Sequence, residues 1–434
     1  MNIKKAILRF ALLAAHALKP LLLKIFPKSV LRKIKRGIAT SSDGLDVKEP
    51  YKPGLFPKGI NLVGPVRAEI GLGQSARLLC SAIQKSGIAF TIYNYKQLNS
   101  VRQEDGQWDA AITNRFPYSV NLIHLNPPEL LLAVSYQIKR GFRDGKYNIA
   151  FWLWELEEFP EDWLPALDKV DEVWTPSEFA SASVRKKTDL PVVTVPYGIT
   201  AEYDERFGRK YFSLPDSVFL FLCMFDSNST SGRKNPQGAI RAFLEAFPED
   251  GAGVGLVVKI SHSDPRELGE FDTLAQGRGD ICILKDTMTK LEVNSLIRCA
   301  DVFVSLHRAE GFGLVLAEAM LLGKPCIATN WSSNVEFMNP ECACMVGYEL
   351  TEITSDDNPI YKKGFRWAEP DITQAAAFMK KLAGDRDFYD KISSAAKAKI
   401  SSELTVDKCA QAIARRFKNI TGENVKYGVD KKGL

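Results

Sequence analysis

Short apolar runs alternate along the chain with segments whose apolar positions repeat at helical spacing. The first run, GINLVGPV (59–66), leads through glycines into the helical pattern QSARLLCSAIQKSG. FTIYNY, SVNLIHL, YNIAFWLW, EVWTPS and PVVTVPYGI follow, with helix-like PEDWLPALDK and EFASASVRKK among them. After the polar stretch TAEYDERFGRKYFSLPD a second series opens at VFLFLCMF (218–225). It continues GLVVKIS, ICILK, DVFVSL and KPCIATN, again with helices between. Alternation of strand and helix predicts an α/β fold with parallel sheets. Two such series predict two Rossmann-like lobes, joined near residues 200–215. In such sheets ligands bind beyond the carboxyl ends of the strands, so the loops after each strand are where chemistry is expected.

A chain of 434 residues exceeds one ordinary core, which agrees with two lobes. With 45% apolar and 25% charged residues it has a globular composition, which argues against disorder. The net charge of +5 is unevenly spread, because ten cations and no acid fall within residues 1–40. The remainder is therefore net acidic, which argues against a nucleic-acid binder and for a basic N-terminal segment. AILRFALLAAHALKPLLLKIF (6–26) is broken by Arg9, His16, Lys19, Pro20 and Lys24, whereas a membrane-spanning helix needs about 20 nearly uncharged residues. MNIKK and Ala15-His16-Ala17 resemble parts of a signal peptide, but Arg9 interrupts the short apolar core. The reading adopted is an amphipathic segment on an anionic membrane surface, at the inner face of the cytoplasmic membrane. The competing reading is a disordered basic tail. The expected layout is a membrane-associating segment at 1–40, a linker at 41–58, a first lobe at 59–205, a second at 213–400 and a C-terminal helix at 401–420 packing back on the first lobe. The eight cysteines are scattered, which favours a reducing cytosol over a disulfide framework.

The stretch HRAEGFGLVLAEAMLLGKP (307–325) sets Glu310 and Glu318 eight positions apart. DVFVSL before it reads as a buried strand and LVLAEAMLLG as a helix. Glycines in the turn between let the backbone bend tightly and approach a ligand, and free amides at the helix start favour an anion. Helical side chains lean toward the N-terminus, so Glu318 points back at whatever the turn holds. Two carboxylates about an amide-lined anion site suit a ligand with phosphates and hydroxyls, such as a sugar nucleotide. From spacing alone, a core helix with incidental acids fits equally well.

Elsewhere, SGRKNP (231–236) puts Arg233 and Lys234 just before a helix, where cations can neutralise a leaving diphosphate or simply sit on the surface. In the first lobe, GPVRAEIGLGQSARLL places Gly71 and Gly73 ahead of a helix. The next strand ends in Asn94, Tyr95 and Lys96 without the acid a dinucleotide site needs, which argues against a dehydrogenase. No phosphate-loop motif of the nucleotidase type occurs. His124 closes an apolar run, a position common for structural histidines. Trp152, Trp154, Glu155 and Glu158 in FWLWELEEFP could shape a sugar pocket or pack in a core. None of the four histidines has zinc spacing, so no metal is expected.

EGFGLVLAEAM followed by GKPCIATN resembles the signature of the retaining glycosyltransferases of the two-lobed GT-B fold, family 4 in the usual classification. WTPSEFASASVRKK followed by VPYGI is similar to that family's end of the first lobe. The resemblance runs from about Gly59 to Ala414. It implies that Glu310 contacts the hydroxyls of the donor sugar and Glu318 the nucleotide ribose. The amides of Gly311, Phe312, Gly313 and Leu314 are then expected to meet the diphosphate, with Lys234. The family's arginine would fall near Asn228 or Ser229, a departure for which Arg233 is expected to compensate. The resemblance also implies Gly71 and Gly73 beside the donor phosphates and the acceptor, and His124 near the donor sugar and attacking hydroxyl, with His307 and Arg308 ranked below the glutamates. The implied activity is that of a hexosyltransferase without cofactor or metal. Its donor is a nucleotide diphosphate sugar, GDP-mannose as first guess, and its acceptor a glycan or polyprenyl-linked oligosaccharide in surface-polysaccharide or O-antigen assembly. The competing class is a catalytically silent GT-B scaffold or sugar-binding subunit. The joint presence of Glu310, Glu318, Lys234 and His124 argues against it.

Overall fold

The computed structural model describes residues 48–96, 102–138, 141–227, 231–251, 253–262, 265–354 and 360–422. The basic segment 1–40, with its expected membrane contact, lies outside the described residues. Two all-parallel sheets of six strands each form two lobes. The first is built from β1 (Ile60–Gly64), β2 (Phe90–Asn94), β3 (Val120–Ile123), β4 (Tyr147–Phe151), β5 (Glu172–Thr175) and β6 (Val192–Thr194), in the order β2-β1-β3-β4-β5-β6. Its helices are α1 (Gly71–Ser86), α2 (Pro127–Leu132) and α3 (Glu178–Arg185). The second lobe holds β7 (Phe219–Asp226), β8 (Val254–Ser261), β9 (Ile281–Leu284), β10 (Val302–Ser305), β11 (Cys326–Thr329) and β12 (Cys344–Val346), in the order β12-β11-β10-β7-β8-β9. Around it lie α4 (Ser231–Lys234), α5 (Pro236–Ala246), α6 (Pro265–Ala275), α7 (Lys290–Cys299), α8 (Leu314–Leu321) and α9 (Ile372–Gly384). Strand β12 and the antiparallel pair β13 (Tyr348–Glu352) and β14 (Arg366–Pro370) were not among the expected strands.

The central strands β1 and β3 are buried at every position because helices cover both faces of the sheet, which is why they read as continuous apolar runs. PEDWLPALDK is a 3₁₀ helix at Glu161–Lys169 rather than an α-helix, since Pro165 inside it has no amide hydrogen to donate. Residues after Gly384 form α10 (Arg386–Glu403) and α11 (Val406–Thr421). Helix α11 buries Cys409, Ala410, Ile413, Ala414 and Phe417, a stripe at helical spacing, and packs on α1 of the first lobe.

A buried charge fixes α11 on that lobe. Glu172 of β5 is 0% exposed, and its carboxylate accepts hydrogen bonds from Trp174 Nε1 at 2.6 Å and Tyr147 OH at 2.8 Å. Arg416 of α11 supplies the counter-charge through Nε at 2.6 Å and a second nitrogen at 2.5 Å. A two-pronged guanidinium is suited to such a carboxylate, and removing it leaves a charge stranded in an apolar setting. Arg416→Leu is expected to destabilise the protein by about 3 kcal/mol in urea unfolding. Adding Glu172→Gln to it should recover much of that loss; no recovery would show that the pair is not the latch.

Candidate functional site

The loop from β10 to α8 carries the two glutamates. Gly313 takes a left-handed φ of 92° as the N-cap of α8, a conformation that favours glycine, and no side chain caps the helix. The first amides of α8 are therefore left for an external acceptor, as at an anion-binding helix start. Gly311 faces the other lobe so closely that a Cβ there would lie 3.0 Å from the Trp154 carbonyl oxygen. Phe312 turns away from the loop to pack on Tyr197 and Phe337, with ring centroids 5.0 and 5.3 Å apart.

Glu310 is buried beside two cations. The Lys234 ammonium contacts its Oε1 directly, and an Arg233 nitrogen lies 3.4 Å from the same oxygen. Burial pushes the Glu310 carboxyl up, but Lys234 and then Arg233 outweigh it and hold it down, at about 2. Arg233 is itself fixed, donating at 2.7 Å to the Ala309 carbonyl, while its backbone carbonyl accepts from the Arg308 amide at 2.8 Å. The guanidinium lies over the Tyr361 ring at 5.9 Å. Asn235 then starts α5 with a left-handed φ of 51°; its Oδ1 accepts from the Gly238 amide at 3.1 Å and its Nδ2 donates to the Leu306 carbonyl at 2.9 Å. The ends of β7 and β10 are thus tied together with three charged groups between them.

Glu318 is 1% exposed. The Lys290 ammonium stands 2.5 Å from Oε2, yet neither carboxylate oxygen has a partner in hydrogen-bonding geometry. The carboxylate is neutralised in charge and unmet in hydrogen bonds, an expensive state unless something else donates to it. It lies on the helix whose N-terminus is open. A ligand with vicinal hydroxyls would satisfy both oxygens.

His124 is 0% exposed and presents no atom to the cleft. Its Nδ1 faces the Phe151 carbonyl at 3.2 Å, so this nitrogen carries the hydrogen, and Nε2 then accepts from Ser75 Oγ. Ser75 in turn accepts from the Tyr197 hydroxyl, whose ring packs on Phe312. As folded, His124 reaches the second lobe only through Ser75 and Tyr197. His307 is also fully buried; Nε2 lies 3.0 Å from Asn334 Oδ1 and Nδ1 lies 3.0 Å from Ser305 Oγ. Burial lowers the pKa of both imidazoles, that of His124 to about 4. Arg308 is clamped by Glu369 at 2.5 and 2.9 Å and lies 5.4 Å from the Trp367 ring.

Gly73 is required by packing, since a Cβ there would sit 1.9 Å from the Ala68 carbonyl oxygen, whereas a Cβ on Gly71 meets nothing within 4 Å. Trp152 and Trp154 are core rather than pocket. Trp152 stacks on Phe159, and Trp154 packs against Trp163 and Tyr361 at 4.8 and 5.9 Å. Glu155 and Tyr361 interact beside Arg233. Ser332 and Ser333 had no place in the sequence reading. The Glu310 amide donates to Ser332 Oγ at 2.9 Å, and Ser333 Oγ donates to the Glu310 carbonyl. Ser332 holds a φ of 75°, a strained conformation for a non-glycine residue and typical of functional sites. The polar run Ser332-Ser333-Asn334 directly after β11 was the available signal. Among the described residues, no group of three His, Cys, Asp or Glu side chains is placed to hold a metal ion.

Residues 230–353 match the family model described as glycosyl transferases group 1. No curated protein matches the chain. Several solved structures are similar. Sucrose-phosphate synthase from Thermosynechococcus elongatus is 14% identical with a TM-score of 0.61, over 84% of this chain and 99% of that one. A glycosyltransferase from Rickettsia africae is 14% identical with a TM-score of 0.58, over 85% and 100%. HepE from Anabaena, in complex with UDP and glucose, is 14% identical with a TM-score of 0.57, over 83% and 100%. The chain has the GT-B fold, and the match in its second lobe supports a glycosyltransferase.

The neutrality of His124 has a definite pH consequence. Its folded pKa lies below the unfolded value, so the unfolded chain binds more protons between the two, and this contribution to stability is lost as pH falls from about 6.5 to about 4. Its ring resonances are expected to stay unchanged between about pH 7.5 and about pH 5, where an exposed imidazole titrates. Titration near 6.5 would show that the ring is open to solvent.

Proposed function

We propose that this protein is a retaining glycosyltransferase that moves a hexose from a nucleotide diphosphate sugar to a glycan or lipid-linked acceptor in surface-polysaccharide assembly. The observation that carries the reading is Glu318, a buried carboxylate without hydrogen-bond donors on the same helix as an uncapped N-terminus. A ribose would supply the missing donors while the diphosphate lies on the amides of Gly311 to Leu314. GDP-mannose remains the first guess for the donor, and UDP-sugars belong beside it because HepE was solved with UDP.

The chemistry asked of the side chains is electrostatic. Arg233 and Lys234 stand against Glu310 and feel Glu155 as well, and the donor diphosphate competes with these carboxylates for the two cations. As the bond from the anomeric carbon to the diphosphate oxygen breaks, Arg233 and Lys234 stabilise the developing charge. Glu310 orients the sugar through its hydroxyls. The acceptor oxygen bonds to the anomeric carbon from the face the diphosphate leaves, and its proton passes to the departing phosphate oxygen. Gly71, where a Cβ would meet nothing, leaves the first lobe's backbone open to the phosphates, while Gly73 lets α1 pack on the Ala68 carbonyl. His124 holds Ser75 and Tyr197 and thereby the Phe312 loop, so we assign it positioning rather than contact.

Nucleotide release from a panel of GDP- and UDP-sugars, with and without membrane lipid extract, tests the reading. Turnover of at least one donor is expected, and a panel neither bound nor turned over would overturn it. Lys234→Ala is expected to lower kcat by about 10²-fold or more, and Glu318→Ala to weaken nucleotide binding by about ten-fold. Undiminished turnover in Glu310→Ala would remove that residue from the site while leaving the enzyme class intact.

We also propose that residues 1–40 hold the enzyme on an anionic membrane surface, where each cation contributes about 1 kcal/mol. Among the described residues no helix is long and apolar enough to cross a membrane. A variant lacking residues 1–40 should lose binding to anionic liposomes at low salt, and retained binding would refute the anchor.

A further inference from the structure

The first lobe contains a second polar pocket, away from the donor cluster. A cavity of about 320 Å³ lies at the carboxyl ends of β1 and β2, lined by Arg67, Asn94, Lys96, Asp109 and Ile112. All five belong to the first lobe, whereas the cations of the donor cluster belong to the second. Its floor is firmly built. Asp109 opens a 3₁₀ turn that ends at Ala111, and Ile112 bridges Ile92 of β2, where the Thr113 amide donates to the Ile92 carbonyl at 2.8 Å. Arg67, just past the end of β1, grips Asp109 through Nε at 2.7 Å and through a terminal nitrogen.

Asn94, the last residue of β2, is 7% exposed. Its Oδ1 accepts from the Arg67 amide at 3.3 Å, and its Nδ2 is buried with no hydrogen-bond partner. An amide nitrogen left unmet at the wall of a cavity costs free energy unless a ligand oxygen completes it. Lys96 lines the same cavity, and the Arg67 guanidinium is taken up by Asp109. Asp109 offers acceptor lone pairs, and Ile112 an apolar wall. Arg67 and Asp109 balance each other on one wall, so the charge left over is that of Lys96, and with the unmet Asn94 donor it fits an oxyanion on a single sugar whose hydroxyls meet the remaining lone pairs of Asp109. A volume at the small end of ligand pockets fits the same size.

We infer that this pocket recognises an anionic group, a carboxylate or a phosphate, on the acceptor sugar, so that the enzyme glycosylates an acidic glycan. The inference rests on the glycosyltransferase reading and specifies its acceptor. The oxyanion lies against Asn94 Nδ2 and Lys96, and a hydroxyl donates to Asp109, whose charge Arg67 balances.

Ligand-observed NMR titrations of the full chain, with GDP and UDP present to fill the donor cleft, test this with three probes: methyl glucuronide, glucose 6-phosphate and neutral methyl glucoside. At least one anionic probe is expected to bind about ten-fold tighter than the glucoside. The tighter of the two identifies carboxylate or phosphate as the group recognised. The exposed Lys96→Glu exchange should abolish the preference and Lys96→Arg restore it, both without change in nucleotide binding. The isosteric Asn94→Asp, which replaces the unmet donor by an acceptor, should also abolish it. Equal binding of all three probes, or a preference that survives Lys96→Glu, overturns the inference. Nucleotide binding without a preference removes this inference alone, and a preference without nucleotide binding removes only the donor reading.

Discussion

Burying Glu310 as an ion is tolerable only because Arg233 and Lys234 stand against it, and much of the second lobe's cleft is arranged around that fact. A lone carboxylate in this position would take up a proton or pull the loop into water. With two cations it stays charged, and Glu155 of the opposite lobe acts on the same two cations. Each member is fixed by backbone contacts that belong to another strand end. Arg233 holds the Ala309 carbonyl, Asn235 holds that of Leu306, and Ser332 accepts from the Glu310 amide. The cluster is therefore held in place by the fold itself.

The same loop is held from the first lobe. Ser177 Oγ donates to the Gly311 carbonyl at 2.9 Å, while Glu336 of the second lobe accepts from the amides of Glu178 and Phe179 at 2.9 and 2.8 Å. A carboxylate at the start of α3 satisfies orphan amides and complements the helix dipole. Tyr197 against Phe312 adds an apolar contact. Together with Trp154 against Tyr361 and Phe365 it makes the buried apolar clusters continuous from one lobe to the other.

The parts of this arrangement legible in the sequence were those set by local rules. Continuous apolar runs marked most strands, the glycine turn marked the approach to α8, and the offset of Glu310 from Glu318 marked a pair with different surroundings. What escaped was set by contacts distant in sequence. Trp152 and Trp154 alternate as pocket residues might, and only the arrival of Tyr361 and Phe365 from the other lobe makes Trp154 core. The neutral state of His124 depends on Ser75 and Phe151, 49 and 27 positions away. Ser332 looked like an ordinary loop serine, because positive φ in a non-glycine residue leaves no mark on composition. Asn94 entered the reading only as the absence of an acid, although its unmet amide is a feature in its own right.

Helix α11 is the last described element of the chain and completes the first lobe. The helix α1 against which it packs belongs to residues made long before it during synthesis. Until Val406–Thr421 leaves the ribosome, α1 lacks that packing and Glu172 lacks the counter-charge of Arg416. The first lobe thus emerges incomplete and must wait through synthesis of the whole second lobe, a delay that exposes it to aggregation or to a chaperone. Evolutionary exchange of lobes between such chains is constrained for the same reason: a transplanted first lobe must bring its distant C-terminal helix with it.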